Sequence, residues 1–155
     1  MIDLNRVALR AYFHPSTKGR TSIKKVLPAV MGSSEYLKNK YSAPIYGSEI
    51  SSLNFPEGFV WYEEIDGLVK DPYMRLRMLA KDMLGDEDGE DVFDAEGVEI
   101  AEGGAAAMAY ARLQFEDLEP IERQHIKEAL LRYCELDTFA MVMIVEAWRE
   151  WAVSR

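Results

Sequence analysis

The chain has 155 residues, 48% apolar and 29% charged, a balance that suits a folded core rather than a disordered chain. No run of eighteen apolar residues occurs and the first fifteen residues lack the basic flank and apolar stretch of a secretory signal, so neither a membrane span nor export is expected. Net charge is −9, which argues against nucleic acid as a partner until its distribution is read: residues 1–40 hold eight basic and two acidic groups, residues 85–155 six basic and eighteen acidic.

In chain order, "LNRVALRAYF" mixes helix and strand signals but places Leu4, Val7, Ala8, Ala11 and Tyr12 on one helical face. "HPSTKGRTS" is a loop marked by Pro15 and Gly19. Ser22 is suited to cap a helix over "IKKVLPAVM", which Pro28 shortens or kinks, and "SSEYLKNKY" suits a further short helix. Residues 42–67 are the least regular. There "GFVWYEEIDG" reads as a short strand ending in a turn at Asp66-Gly67. "DPYMRLRMLAKDML" has the Asp cap and first-position Pro of a helix start and runs to Gly85.

Residues 85–104 form an acidic, Gly-rich break. A calcium loop beginning at Asp86 would need Gly at its sixth position, but Gly89 stands at the fourth, so the EF-hand spacing fails. The Asp94-Ala95-Glu96 triplet in the same stretch reads as a solvated loop. Helix resumes over "AAAMAYARLQF" and again from "LEPIERQ" almost to the end. In this last segment Ile126, Ala129, Leu130, Tyr133 and Cys134 make an apolar stripe, with Cys134 expected to be buried. Beyond Asp137 nearly every position is apolar, so most of the circumference should be covered. One cysteine allows no internal disulfide and no zinc cluster, which fits a reducing cytoplasm. His14 and His125 are lone histidines of the kind that serve as surface or half-buried polar groups.

Chemistry concentrates at Tyr133 and Asp137. Four apart on a helix, they point the same way. Such a pair can hold a divalent cation on the carboxylate and orient a metal-bound water with the phenol. Two plainer roles compete: Asp137 as the N-cap of a second helix starting at Thr138, and Tyr133 as a core aromatic with its hydroxyl outward. On these two residues alone the cap is favoured.

The wider context resembles a known family. "RYCELDTFAMV" resembles the last motif, Tyr-x-x-x-Asp, of the RNase H-like 3′–5′ exonuclease superfamily. "IDL" at 2–4, "YFHPSTKGRTSIKKVLPAV" at 12–30, "DPYMRL" at 71–76, "GGAAAMAYARL" at 103–113 and "YCELDTFAMV" at 133–142 are similar, in the same order, to the C-terminal part of a bacterial exonuclease-like family of unknown function. The resemblance implies a two-metal phosphodiesterase: Asp137 one of four carboxylate ligands to Mg²⁺ or Mn²⁺, Tyr133 positioning the attacking water, nucleic acid the substrate. Charge, rather than the resemblance, places Lys18, Arg20, Lys24 and Lys25 against phosphates. The superfamily's D-x-E strand and its Asn-containing motif are missing, so the expected fold is a helix-rich α/β one, an incomplete RNase H-like exonuclease fold lacking its first strands. The whole chain, 1–155, would be the C-terminal portion of one domain, inactive unless a missing N-terminal half or a partner subunit completes it. The open alternatives are a non-catalytic helical interaction module derived from that fold and an acidic protein that binds a basic partner through residues 85–102.

Overall fold

The computed structural model describes residues 3–84 and 104–154. The acidic break, with the rejected calcium loop at Asp86 and the Asp94–Glu96 triplet, lies almost wholly outside them. The architecture is helix-rich with one small two-stranded sheet. Contacts divide the chain into two compact units, one of Met1–Pro72 with Leu136–Arg155, the other of Tyr73–Glu135.

In the first unit, helix wins the mixed signal at the N-terminus. α1 spans Leu4–Ala11, because the Asp3 carboxylate accepts from the Asn5 amide at 3.0 Å and the Arg6 amide at 3.4 Å and satisfies two orphan donors. The chain then makes a single 3₁₀ turn, Pro15–Thr17, closed by Lys18 at φ 50°. α2 spans Ile23–Ser33 with Pro28 inside it. Ser22 sits at its N-terminus as the sequence suggests, but its carbonyl makes the bonds, to the Lys25 and Val26 amides at 2.9 Å, and its hydroxyl makes no cap. α3 spans Glu35–Tyr41 and has a true side-chain cap, Ser34 Oγ accepting from the Leu37 amide at 3.2 Å.

After α3 the chain is irregular as expected, but the short strand expected over "GFVWYEEIDG" forms only at its end. β1 is only Glu64–Ile65, paired antiparallel with β2, Leu68–Val69, in the register Glu64 to Val69 and Ile65 to Leu68. The two-residue turn between them, Asp66 at φ 53° and Gly67 at φ 76°, has both central residues left-handed, as a tight hairpin demands. The residues before β1 do something else: they fill the core. Trp61 is 1% exposed, and its ring meets those of Tyr46 at 5.3 Å, Phe55 at 4.9 Å, Phe59 at 4.9 Å and Phe139 at 6.0 Å. Aromatic bulk thus organises residues 42–62, helped by isolated bridges from Tyr46 to Ile50 and Phe59.

In the second unit, α4 spans Pro72–Leu84, and α5 spans Gly104–Phe115. Ala109 packs with Ile126 and Ala129, flanked by Leu113, Leu118 and Leu130. Arg112 clasps Glu116 at 3.0 Å and Glu122 at 2.8 Å, and Arg123 donates to the Leu113 carbonyl at 2.6 Å, which fixes the turn between α5 and the next helix.

α6, Pro120–Val153, is a continuous helix of 34 residues whose two halves belong to the two units. No helix among the described residues is long and apolar enough to cross a membrane.

Candidate functional site

The continuity of α6 decides one of the competing roles of Asp137. No helix starts at Thr138, so no first-turn amides need a cap there, and the capping role falls. Asp137 is half-buried in the interior of α6, between the fully buried Leu136 and Ala140. Tyr133, one turn earlier on the same helix, is 8% exposed, and in its own unit its ring meets the edge of Tyr73 at 6.3 Å. The two residues thus fall in different units, Tyr133 in the second and Asp137 in the first.

The donor set for a metal ion is small. Among the described residues, no group of three or more His, Cys, Asp or Glu side chains could hold one. Mg²⁺ is usually held by one or two carboxylates together with substrate phosphates and water, so Asp137 alone makes a poor site. The residues described do not by themselves fit Mg²⁺ or Mn²⁺.

The four basic residues suggested for phosphate contact belong to the stretch from the 3₁₀ turn into the first turn of α2. Lys18, Arg20 and Lys25 are exposed and Lys24 is half-buried. The loop is fixed by His14, whose Nδ1 accepts from the Ser16 amide at 3.3 Å and lies 2.7 Å from Ser16 Oγ. His14 Nε2 is 3.1 Å from Ser33 Oγ, and that hydroxyl donates to the Ala29 carbonyl at 2.8 Å. With its hydroxyl proton so used, Ser33 accepts from His14, which sets the Nε2–H tautomer. His14 is therefore a clamp between the basic loop and α2. This role rests on a 19-residue separation that no local pattern announces.

Cys134 corrects another expectation: it is exposed, because the apolar stripe of α6 turns inward at Tyr133 and Leu136 and leaves it outside. The second half of α6 is also less covered than its composition suggests. Phe139, Ala140, Met143, Ile144 and Ala147 are buried, whereas Met141 and Val142 remain 43% and 44% exposed.

A further polar cluster escaped the sequence altogether. Glu146 accepts from Lys40 Nζ at 2.7 Å and from Tyr41 Oη at 2.7 Å, pinning α3 to α6. Burial first, and then the bond to Glu146, pushes the Tyr41 phenol far above its usual value. Burial works against charge on Lys40, but the hydrogen bond and the charge of Glu146 outweigh it and raise its pKa.

Compared with protein families, with curated proteins and with solved structures, the chain finds no match in any of the three.

Proposed function

We propose that the chain is the C-terminal part of a metal-dependent, 3′–5′ exonuclease-like nuclease domain with an incomplete RNase H-like fold, acting on nucleic acid only when completed. One observation carries the reading: Asp137 occupies the interior of a continuous helix, where no cap is needed. Aspartate is among the poorer helix formers, by roughly 0.5–0.7 kcal/mol against alanine, so helix propensity does not call for it there. The sequence context, Tyr-x-x-x-Asp a hundred residues after "SIKKVLP", supports a ligand role. Tyr133 lies one turn away in the helix, and Lys18, Arg20, Lys24 and Lys25 supply local positive charge for phosphates.

Among the described residues the donor set is incomplete, so on this reading the remaining carboxylates come from a missing N-terminal half or a partner subunit. The expected result is that the chain alone, given Mg²⁺ or Mn²⁺ and an end-labelled single strand, releases no nucleotides. Metal-dependent cleavage by the chain alone that Asp137→Ala abolishes would overturn the incompleteness. Genomic DNA upstream of the Met1 codon supplies the complementary test. An in-frame D-x-E strand followed by an Asn-containing motif supports the nuclease reading; a stop codon and ribosome-binding site directly upstream count against it.

One observation favours a second reading, the non-catalytic helical interaction module: Met141 and Val142 leave an apolar strip open on α6. On that reading, adding the missing half restores no metal binding, and Asp137→Asn leaves every binding property intact.

A further inference from the structure

Between α1 and the 3₁₀ turn the chain is extended on both sides of Phe13: Tyr12 has φ −116° and ψ 124°, His14 φ −141° and ψ 135°. Successive side chains of an extended stretch point to opposite sides. Here both neighbours are anchored. The Tyr12 ring meets Trp148 at 5.6 Å and Trp151 at 6.4 Å, and His14 is tied to Ser33 of α2 at 3.1 Å. Phe13 is thereby turned outward, 80% exposed, and no other ring meets it among the described residues. Its backbone is fixed on either side, so a flat partner laid on the ring would lose little to ordering.

The surroundings narrow what that partner is. Arg10 stands three residues before Phe13, in the last turn of α1, and Lys18 is drawn back toward it by the bond from its amide to the Pro15 carbonyl at 3.1 Å. Both are exposed, and among the described residues neither meets a carboxylate, whereas Lys38, Lys40 and Lys70 of the same unit are taken by Glu64, Glu146 and Glu63. The exposed large apolar residue nearest in the chain, Leu9, is flanked by Arg6 and Arg10, and α1 turns apolar surface inward through Ala8. Too little continuous apolar surface is left outside for a helical partner or a lipid bilayer. An exposed ring between two cations suits a single strand, whose base stacks while its phosphates meet the charge; in a duplex the base faces are already covered. Resting on the nucleic-acid reading above, we infer that Phe13 stacks a base of single-stranded nucleic acid, with an adjoining phosphate on Lys18.

The test uses the full chain in EDTA, so that cleavage plays no part, with an end-labelled oligothymidylate of about eight residues and an abasic strand of the same length and charge. Fluorescence anisotropy of the label reads binding. The abasic strand should bind about ten-fold weaker than oligothymidylate. Phe13→Ala should weaken oligothymidylate about ten-fold, leave the abasic strand as it was, and leave the thermal midpoint unchanged, because the ring it removes is exposed. Phe13→Trp should restore the affinity, and the emission it adds should be quenched by oligothymidylate but not by the abasic strand. Equal binding of the two strands, or unchanged oligothymidylate affinity in Phe13→Ala, would overturn the stacking role and leave the nucleic-acid reading standing on phosphate contacts. Binding of neither strand would overturn both. Binding to vesicles containing phosphatidylglycerol that Phe13→Ala abolishes, with no effect of that change on oligothymidylate, would overturn the inference in favour of a lipid surface.

Discussion

Within the first unit Glu146 serves two partners, one with each carboxylate oxygen. Removing it in Glu146→Ala strands the Tyr41 hydroxyl, which belongs to a residue only 1% exposed, and leaves Lys40 without its carboxylate. A buried group left unsatisfied costs about 1–3 kcal/mol, and that loss is expected in urea denaturation. Glu146→Gln, which can still accept from Tyr41, should cost less. The same cluster sets an alkaline limit. Both Lys40 and Tyr41 have folded pKa values above their unfolded ones, so the folded state holds these protons more tightly. Their contribution is therefore complete below pH of about 10, where the unfolded groups begin to titrate, and is lost as pH rises above it. A thermal midpoint measured from pH 8 to pH 11 should fall at the upper end, and less steeply in Glu146→Gln. Cys134 gives a simpler expectation. As an exposed thiol it should react with a disulfide reagent in the native protein without prior unfolding; protection until unfolding would contradict its placement. Neither residue was legible beforehand. Glu146 finds partners 105 and 106 positions away, and the inward face of α6 is set by packing that a short apolar stripe does not determine.

At the scale of elements, the sequence was most legible where local chemistry acts alone. Pro72 at a helix start, the alanine-rich run before Phe115, and the Asp66-Gly67 turn all appear where their residues place them, because caps, propensity and left-handed turn positions are decided within a few residues. It was least legible at Asp137, where a residue that caps well by itself sits inside a helix held by apolar packing on either side. The strand expected from residue 58 is missing before Glu64 for a related reason, since β-prone aromatics such as Phe59 and Trp61 also suit a core cluster. Two glycines allow these elements to be tested. Gly67 has φ 76° with nothing within 4 Å of an added Cβ, so Gly67→Ala should cost only the left-handed backbone penalty, about 1–2 kcal/mol. Gly47 has φ 80°, and there an added Cβ would lie 2.5 Å from the Pro56 carbonyl oxygen. That contact is with backbone, which cannot rotate aside. Gly47→Ala should therefore cost at least about 3 kcal/mol, strain and displacement combined, and loosen the loop around Trp61. Equal costs for the two variants in urea denaturation would mean that the close approach at Gly47 is relieved without effort.

For the whole molecule the proposed nucleic-acid reading raises the question of how a chain of net charge −9 and pI ≈ 4.8 would approach a polyanion. The answer lies in the range of the interaction. At physiological salt the Debye length is about 8 Å, so the acidic residues concentrated after position 85 weigh little on a phosphate at the basic loop unless they lie close to it. What matters there is Lys18, Arg20, Lys24 and Lys25, together with how many counterions they displace. For a single strand each neutralised phosphate contributes a slope of about −0.7 in log K against log salt, so four contacts give about −3. Binding of oligothymidylate should accordingly weaken by roughly 60-fold between 50 and 200 mM salt. Lys25→Gln should lower the slope by about 0.7 and weaken binding to the same extent whatever the base sequence, because phosphate contacts carry no sequence information. A slope near zero in the unmodified chain would remove the loop from the interface altogether.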